Sequence, residues 1–455
     1  MNIVPDHSEN FIGRFRTFCT MIKTRIISRI SMDPLLRGIL ILGSGTAISQ
    51  VLGIIFVPII TRIYPPAIYG TLAVFGSLLS ILIVGSSLRY ELTIPITEKD
   101  DDAEYLLILS FSIVCALTIA LFILLTFFGN SLASIFHFEF IAPYYWLFCV
   151  GFFGISVYQI LTYWTLRSKD YITITRTRIA QSLSGSISKI ILGILSFGSF
   201  GLIVGEIIGR MVGIGTLGRT IIPRLWIVAR KCDLSRMKLL AVAFKKFPTF
   251  SLPSSFINEI SLQVPILFIS AIFGFQMVGL FSMSFSMLVL PVSFISGSIG
   301  QVFFSESSEL FRQKSKEMLS LYLQTTKKLF LFGAPVILAG AIVSPYLFPI
   351  VFGSAWKDAG MFSLPLSMMV IAQFVVSSTD RLELYGFNHW ELAWNVSRTC
   401  LVLTGFYLSY VFALSPVTTI LVFSSIMTGM YAVNYILNIK AIKSVNIQLM
   451  KNSAD

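Results

Sequence analysis

The stretch LLILSFSIVCALTIALFILLTFF, residues 106–128, runs for 23 residues without a charged side chain. A helix of about 20 apolar residues is long enough to cross the ~30 Å hydrocarbon core of a bilayer. The run does not alternate between polar and apolar residues, as strands of a membrane barrel do, and it is too long for such a strand. A helix also satisfies its own backbone hydrogen bonds inside lipid. Residues 106–128 therefore predict a transmembrane helix.

Similar runs recur along the whole chain. Of its 455 residues, 55% are hydrophobic and only 12% are charged, and the mean hydropathy is +0.82. Soluble domains carry about 25% charged residues. The sequence thus predicts an all-α polytopic membrane protein with about twelve transmembrane helices. The predicted spans are residues 38–60, 68–88, 106–128, 144–164, 179–197, 201–222, 249–273, 277–303, 329–352, 362–378, 392–414 and 417–439.

The distribution of basic residues predicts the orientation. With the N-terminus in the cytoplasm, 29 of the 34 Lys and Arg residues fall on the cytoplasmic side. Only Arg62 and Lys357 fall on the opposite side. Cytoplasmic loops carry an excess of Lys and Arg, so this bias favours an even number of spans with both termini inside. The net charge of +12 is therefore interpreted as a topology signal rather than as a nucleic-acid surface.

A long basic stretch divides the predicted spans into two lobes of six helices. The predicted organisation is a basic cytoplasmic arm (1–37), an N-lobe (38–222), a basic cytoplasmic linker (223–248), a C-lobe (249–440) and a cytoplasmic tail (441–455). Residues 11–30 mix Arg and Lys with Phe and Ile. They predict either an amphipathic helix on the membrane surface or a disordered basic tail, and both interpretations remain open.

The two lobes show weak internal similarity. Gly70 follows the first predicted span and Gly279 follows the seventh, 209 residues later. Residues 169–171 before the fifth span likewise correspond to 388–390 before the eleventh. Repeats of six spans have the same orientation in the membrane, and such transporters bind substrate between the lobes near the bilayer midplane. The pattern predicts an alternating-access transporter architecture.

Three basic residues lie deep inside predicted spans, Lys189, Arg210 and Arg398, whereas Arg219 lies at the inner end of the sixth span and is counted with the cytoplasmic side. Charged residues in a span are costly unless they face protein or water. They are candidates for lining a cationic cavity between the lobes that binds an anionic substrate such as a lipid pyrophosphate, because Arg offers a fork of donors to phosphate and Lys a point charge. The alternative is structural: Glu206 lies one turn before Arg210 and can pair with it, while Lys189 reaches towards the membrane surface.

Two carboxylates inside the spans, Glu259 and Glu206, are candidates for ion coupling. Glu259 has no obvious partner in its own helix, so it could take up a proton or bind sodium during transport. The alternative is a salt bridge from Glu259 to a cation of another span. The five cysteines and three histidines form no metal-ligand pattern, and the sequence predicts neither a metal nor another cofactor.

The sixth predicted span carries a glycine at every fourth position: Gly201, Gly205, Gly209 and Gly213. Small residues at this spacing allow the backbone of a neighbouring helix to approach closely. We expect this stripe to pack against another helix of the N-lobe.

Two short stretches resemble a known family. The first consists of TRIYP (61–65) followed by YG (69–70), and the second is RYELTIP (89–95), followed by acidic residues. They resemble the polysaccharide-flippase families of the multidrug, oligosaccharidyl-lipid and polysaccharide exporter superfamily. The resemblance implies a Wzx-type flippase, which moves an undecaprenyl-pyrophosphate-linked oligosaccharide across the bacterial inner membrane for O-antigen or other lipopolysaccharide, capsule or exopolysaccharide biosynthesis.

The resemblance also implies partners and a route. The expected partners are the lipid-linked oligosaccharide, membrane lipids and the polymerase and chain-length proteins of the same pathway. Arg62 and Arg89 lie at span ends, where they could act as anchors. No P-loop pattern occurs, which agrees with transport without ATP hydrolysis by this chain.

Two other classes of function were weighed. A multidrug or cation antiporter of the same architecture would favour an acidic cavity, whereas the interiors of the predicted spans hold three cations and two carboxylates. A glycan polymerase or ligase would need catalytic groups in a large external loop, and the predicted outer loops are short. A flippase is therefore the predicted function, and no enzymatic activity is expected.

Overall fold

The computed structural model describes residues 34–136, 144–219, 221, 233–312, 317–382 and 385–451. The predicted surface helix of residues 11–30 lies outside these ranges. The described chain is folded into helices, which are α1 (Pro34–Ile63), α2 (Pro66–Ile83), α3 (Asp100–Phe136), α4 (Tyr145–Arg167), α5 (Tyr171–Ile194), α6 (Gly198–Met211), α7 (Ile214–Gly218), α8 (Leu234–Ala243), α9 (Leu252–Arg312), α10 (Met318–Phe352), α11 (Lys357–Ser377), α12 (Asn388–Val411) and α13 (Pro416–Lys451).

Twelve crossings of the membrane can be assigned to these helices. Within the described ranges, nine helical segments are long and apolar enough to span a bilayer. The segment in α9 provides two crossings, because Gly274 (φ 80°, ψ 176°) interrupts it in the middle. Helices α5 and α12 are less apolar but are 24 residues long, enough to cross. The prediction of an all-α polytopic protein with about twelve transmembrane helices in two six-helix lobes is confirmed.

The ends of several helices differ from the predicted spans. Helix α10 begins at Met318, whereas the predicted span begins at residue 329. Hydropathy detects only the part of a helix that lies in hydrocarbon. The predicted span therefore begins after Lys327 and Lys328, although the helix continues through them. The sixth span was predicted to reach residue 222, yet α6 ends at Met211 because Gly213 adopts a positive φ of 105°.

The glycine stripe packs on α5, as predicted. A Cβ at each of the four positions would collide with α5: Gly201 meets Leu192, Gly205 meets Lys189, Gly209 meets Gly185 and Gly213 meets Thr177. The closest backbone approach joins Gly209 and Gly185, where a Cβ on Gly209 would lie 2.7 Å from the Cα of Gly185. Helix α5 also packs on α1, through hydrogen bonds such as the one from Ser182 Oγ to the carbonyl of Ser49 at 2.7 Å.

The two lobes meet where α2 crosses the second half of α9. A Cβ on Gly70 would clash with the carbonyl of Phe275 and lie 3.0 Å from the amide nitrogen of Gly279. A Cβ on Gly279 would clash with the carbonyl of Pro66 and lie 3.1 Å from the amide nitrogen of Gly70. Gly279 lies 209 positions after Gly70, and Phe275 lies 209 positions after Pro66. The contact is therefore reciprocal, as at a twofold axis.

A second group of contacts joins the lobes beside this crossing. The indole of Trp356, which is fully buried, donates to the carbonyl of Thr61 at 2.9 Å. Arg62 Nη2 donates to the carbonyl of Ile350 at 3.1 Å. The rings of Trp356 and Tyr69 pack edge to face with centroids 5.4 Å apart. These residues lie at or next to loops that the basic-residue bias assigns to the outer side, and we refer to them as the outer latch.

The described part of the predicted linker is anchored on the N-lobe. Within it, α8 is held by a salt bridge from Arg236 Nη2 to Asp102 Oδ1 of α3 at 2.7 Å. The hydroxyl of Tyr90 donates to the carbonyl of Ala241 at 3.0 Å. The segment between the lobes thus contains a short helix, which the run of basic residues alone did not indicate.

Candidate functional site

An ion cluster lies between α5 and α6 in the N-lobe, with Glu206 at its centre. Lys189 Nζ is 2.6 Å from Glu206 Oε2, and Arg210 Nε is 2.6 Å from Glu206 Oε1. The glycine stripe explains how Lys189 reaches α6, because Gly205 leaves room for the stem of that lysine. The hydroxyl of Tyr64 donates to the backbone carbonyl of Lys189 at 2.9 Å and fixes this turn of α5.

The cluster lies next to the broken end of α6. The carbonyl of Arg210 accepts a hydrogen bond from Gln181 Nε2 at 2.7 Å, which satisfies a carbonyl at the end of the helix. The chain then turns at Gly213 before α7 begins. Interrupted helices in transporters place backbone polar groups and charged side chains at the binding site. Sequence analysis missed Gln181, because its role depends on the helix ending at Met211, one residue after Arg210.

The cluster carries one more positive charge than negative. Two cations share one carboxylate, and the side chains of Lys189, Glu206 and Arg210 are 17%, 24% and 43% exposed. The pairing of Glu206 with Arg210 is confirmed, and the structure adds Lys189 to it. Arg210 is the most accessible of the three.

Tyr69 connects the ion cluster with the outer latch. Its hydroxyl lies within electrostatic range of Lys189 and Glu206. On its other side, its ring packs on Trp356 of the C-lobe. A shift of Trp356 relative to α2 therefore changes the packing of a residue beside the ion cluster. Nothing in the sequence pattern indicated this role, because the contact joins residues nearly 300 positions apart.

Arg398 occupies a different environment in the C-lobe. It is only 6% exposed, its guanidinium lies 4.7 Å from the centroid of the Trp394 ring, and its Nη2 is 3.4 Å from Asn258 Oδ1. A cation over an aromatic face is attracted by the ring quadrupole. In the described ranges, no contact joins Arg398 to the N-lobe cluster. That the three cations line one cavity stays a prediction.

Glu259 is hydrogen-bonded within its own helix. Gln263 Nε2, one turn further along α9, donates to Glu259 Oε1 at 2.8 Å. This neutral partner corrects the expectation that α9 offers Glu259 no partner. Among the described residues no salt bridge to Glu259 occurs, so the interpretation that a cation of another span neutralises it gains no support. Its role in ion coupling stays a prediction.

The second family-like stretch forms a buried turn between α2 and α3. Arg89 has a positive φ of 67° and precedes a 3₁₀ turn (Tyr90–Thr93) in which Glu91 is buried. The Glu91 carboxylate accepts a hydrogen bond from Ser87 and lies 3.7 Å from Arg89 Nη1. Burial raises the pKa of Glu91, and the hydrogen bond from Ser87 and the charge of Arg89 oppose that increase. Arg89 thus anchors this turn, and sequence analysis missed Glu91.

No group of His, Cys, Asp or Glu side chains that could hold a metal ion occurs among the described residues. The cysteines within those ranges, Cys115, Cys149 and Cys400, are not in disulfides.

Comparison with known proteins defines first the architecture and then the family. The chain superimposes on a multidrug resistance transporter of the MATE family and MOP superfamily in its inward-facing conformation, with a TM-score of 0.65, 14% identity and coverage of 87% of this chain and 96% of the other. It also superimposes on the lipid II flippase MurJ in an inward closed conformation, with a TM-score of 0.67, 12% identity and coverage of 90% and 91%. At these identities the similarity establishes the fold alone, which this chain shares with both membrane proteins.

The family is established by the sequence. A family model described as polysaccharide biosynthesis protein matches residues 59–360, more than half of the chain. The protein belongs to this polysaccharide biosynthesis family. One relative is the amylovoran biosynthesis protein AmsL of Erwinia amylovora, 23% identical over 159 residues. That alignment covers 34% of this chain and 40% of the relative.

Proposed function

We propose that this protein is a flippase that carries an undecaprenyl-pyrophosphate-linked oligosaccharide across the bacterial inner membrane for surface polysaccharide biosynthesis. The observation that carries the proposal is the ion cluster with an excess positive charge on membrane helices α5 and α6. The membership in a polysaccharide biosynthesis family and the fold shared with a lipid II flippase support it.

In this proposal the cations bind the pyrophosphate. Lys189 supplies a point charge, and Arg210 supplies a planar fork of donors that suits phosphate oxygens. Arg398, in the opposite lobe, would complete the site when the lobes rearrange. A phosphate inside the bilayer needs such partners, because a charge without them is costly in hydrocarbon. The polyprenyl chain of the substrate would remain in lipid.

The proposed transport cycle is alternating access between the two lobes. Both termini and the basic loops would lie in the cytoplasm, in agreement with the distribution of Lys and Arg. The described contacts of the outer latch hold the lobes together at their outer ends, which suits a state open towards the cytoplasm. Glu259, and Glu206 when it is released from its cations, would serve as sites for a coupling proton or sodium ion.

The covalent steps of the pathway would belong to other proteins. In this proposal the chain moves its substrate without making or breaking a bond, and the polymerase and chain-length proteins act on the oligosaccharide after it has crossed. The O-antigen, capsule and exopolysaccharide pathways all use this step.

A gene deletion tests the function in cells. Loss of the gene should trap lipid-linked repeat units on the cytoplasmic side and abolish the surface glycan, and the intact gene should restore both. Normal surface glycan in the deletion strain, in a genome without a second copy, would exclude the proposal.

A multidrug or cation antiporter is the second candidate. It is favoured by Glu259, which has a neutral hydrogen-bond partner and no described salt bridge, as a cation-exchanging carboxylate requires. Drug-resistance profiling of an overexpressing strain separates the two functions. An antiporter raises resistance to cationic drugs, and this increase is lost in Glu259→Gln. A flippase leaves the resistance unchanged.

A further inference from the structure

We infer that Glu206 occupies the phosphate site of the empty transporter and must be displaced when the lipid pyrophosphate binds. This inference rests on the proposed function. It concerns the carboxylate of the ion cluster rather than its cations. Glu206 competes with the substrate for Lys189 and Arg210.

Glu206 is shared between the two cations of the cluster. Each oxygen of Glu206 is bound by a different cation at 2.6 Å, so a single carboxylate bridges Lys189 and Arg210. Within the described ranges, no other acidic side chain contacts either cation. Carboxylates and phosphates are recognised by the same donors, and Arg and Lys bind both. A phosphate that reaches these two cations therefore competes with Glu206 for them.

Lys189 and Arg210 need a bridging anion between them. Two cations brought together in membrane helices repel each other and lose hydration, and an anion between them offsets both costs. Glu206 supplies that anion while no substrate is present. A pyrophosphate carries more negative charge than one carboxylate, so it neutralises the pair more completely and can replace Glu206.

Glu206 would also assist the release of the substrate. Glu206 is covalently attached at the site and remains available to return to the cations once the pyrophosphate begins to leave. It thus limits the affinity of the empty site and favours dissociation after transport. Removing its charge should strengthen pyrophosphate binding and slow turnover, which is opposite to the loss of binding expected when either cation is removed.

The test measures binding of farnesyl pyrophosphate to the purified full-length protein in nanodiscs, with farnesol as the control that lacks phosphate. The wild type should bind the pyrophosphate more tightly than farnesol. Glu206→Gln should lower the Kd for the pyrophosphate about tenfold, whereas Lys189→Ala and Arg210→Ala should raise it about tenfold. Asp358→Asn, which removes an exposed carboxylate at the start of α11, is the matched control and should leave the Kd unchanged.

Glu206→Asp provides a second variant in case Glu206→Gln does not fold, as judged by its size-exclusion profile. Aspartate keeps the charge but is one methylene too short to bridge both cations, so the Kd should fall by about threefold. The inference is overturned if the folded Glu206 variants have an unchanged or higher Kd while Lys189→Ala and Arg210→Ala bind the pyrophosphate more weakly, as expected. The proposed phosphate site would then remain intact. Equal binding of farnesol and farnesyl pyrophosphate by the wild type would overturn both.

Discussion

Gly70 and Gly279 lie against each other where the two lobes cross, and each leaves room for the backbone of the opposite helix. They are also the pair of glycines that the internal repeat aligns. Corresponding helical turns of the two lobes thus pack against each other, and together they form one self-complementary contact. Because any side chain at either position would collide with backbone atoms, the spacing between the lobes depends on both glycines.

Adding a methyl group at this crossing should separate the outer ends of the lobes. Gly70→Ala and Gly279→Ala each place a Cβ against a backbone carbonyl, and overpacking of this kind costs about 1–3 kcal/mol. A cysteine introduced at Thr61, in a background without the native cysteines, should then react faster with a membrane-impermeant maleimide. Gly76→Ala is the control, since its Cβ would meet no atom within 4 Å. Equal labelling rates in all three variants would contradict the prediction.

The hydrogen bond of the outer latch should contribute measurably to stability. Trp356→Phe keeps an aromatic ring but removes the indole donor, which leaves the carbonyl of Thr61 without that partner. We expect the free energy of unfolding to fall by about 1–3 kcal/mol, the cost of a buried polar group that loses its hydrogen bond. Thermal unfolding in detergent measures the change. Trp146→Phe, at a half-exposed site, should have little effect, and equal losses in the two variants would count against the latch.

The cations of the ion cluster should matter more for transport than for folding. Lys189→Ala and Arg210→Ala each leave the other cation paired with Glu206, so we expect membrane levels near those of the wild type. Complementation of the deletion strain should nevertheless fall at least tenfold, a loss of about 1.4 kcal/mol in binding the transported anion. Lys357→Ala, which removes an exposed lysine on the predicted outer side, is the control. Full complementation by both cluster variants would show that the cations do not bind substrate.

The buried turn between α2 and α3 should make stability depend on pH. Burial raises the pKa of Glu91, so the folded protein binds this proton more tightly than the unfolded chain. The free energy of unfolding therefore decreases as the pH rises from the ordinary value of 4.5 through the raised pKa. The groups facing Glu91 are Ser87, Arg89, Gln159 and Tyr163. Glu91→Gln should flatten the dependence of the unfolding temperature on pH above the ordinary pKa of 4.5.

The control for that measurement is Glu98→Gln, which neutralises an exposed carboxylate in the same connection. It should leave the pH dependence as in the wild type. If Glu91→Gln and the wild type lose stability in parallel as the pH rises, the titration of Glu91 does not contribute.

Hydropathy was sufficient to predict the number of spans, because every crossing requires a long apolar helix. It also located α5 and α12, although serine, threonine and basic residues make them the least apolar spans, but it began α5 at residue 179 rather than at Tyr171. The glycine stripe predicted the close packing of α6, since a spacing of four residues follows one face of a helix. These features are local, and local patterns are visible in a single sequence.

The contacts that shape the site could not be predicted in this way. Lys189 binds Glu206 only because the stripe brings α5 against α6 in one register, and sequence spacing does not define that register. Trp356 and Tyr69 meet across the lobes for reasons of tertiary packing. The break at Gly213 was missed because the apolar run continues beyond it, whereas the backbone turns where a positive φ is available to glycine.

The most direct test of the proposed function is a translocation assay in proteoliposomes. The purified protein would be reconstituted with a fluorescent undecaprenyl-pyrophosphate-linked oligosaccharide, and a membrane-impermeant quencher would report the fraction of label in the outer leaflet over time. We predict translocation that requires the protein and that is slowed at least tenfold in Lys189→Ala and Arg210→Ala, but not in Lys357→Ala. Translocation at the rate of protein-free liposomes would contradict the proposed function. Equal rates in the wild type and both cluster variants would contradict the proposed phosphate site.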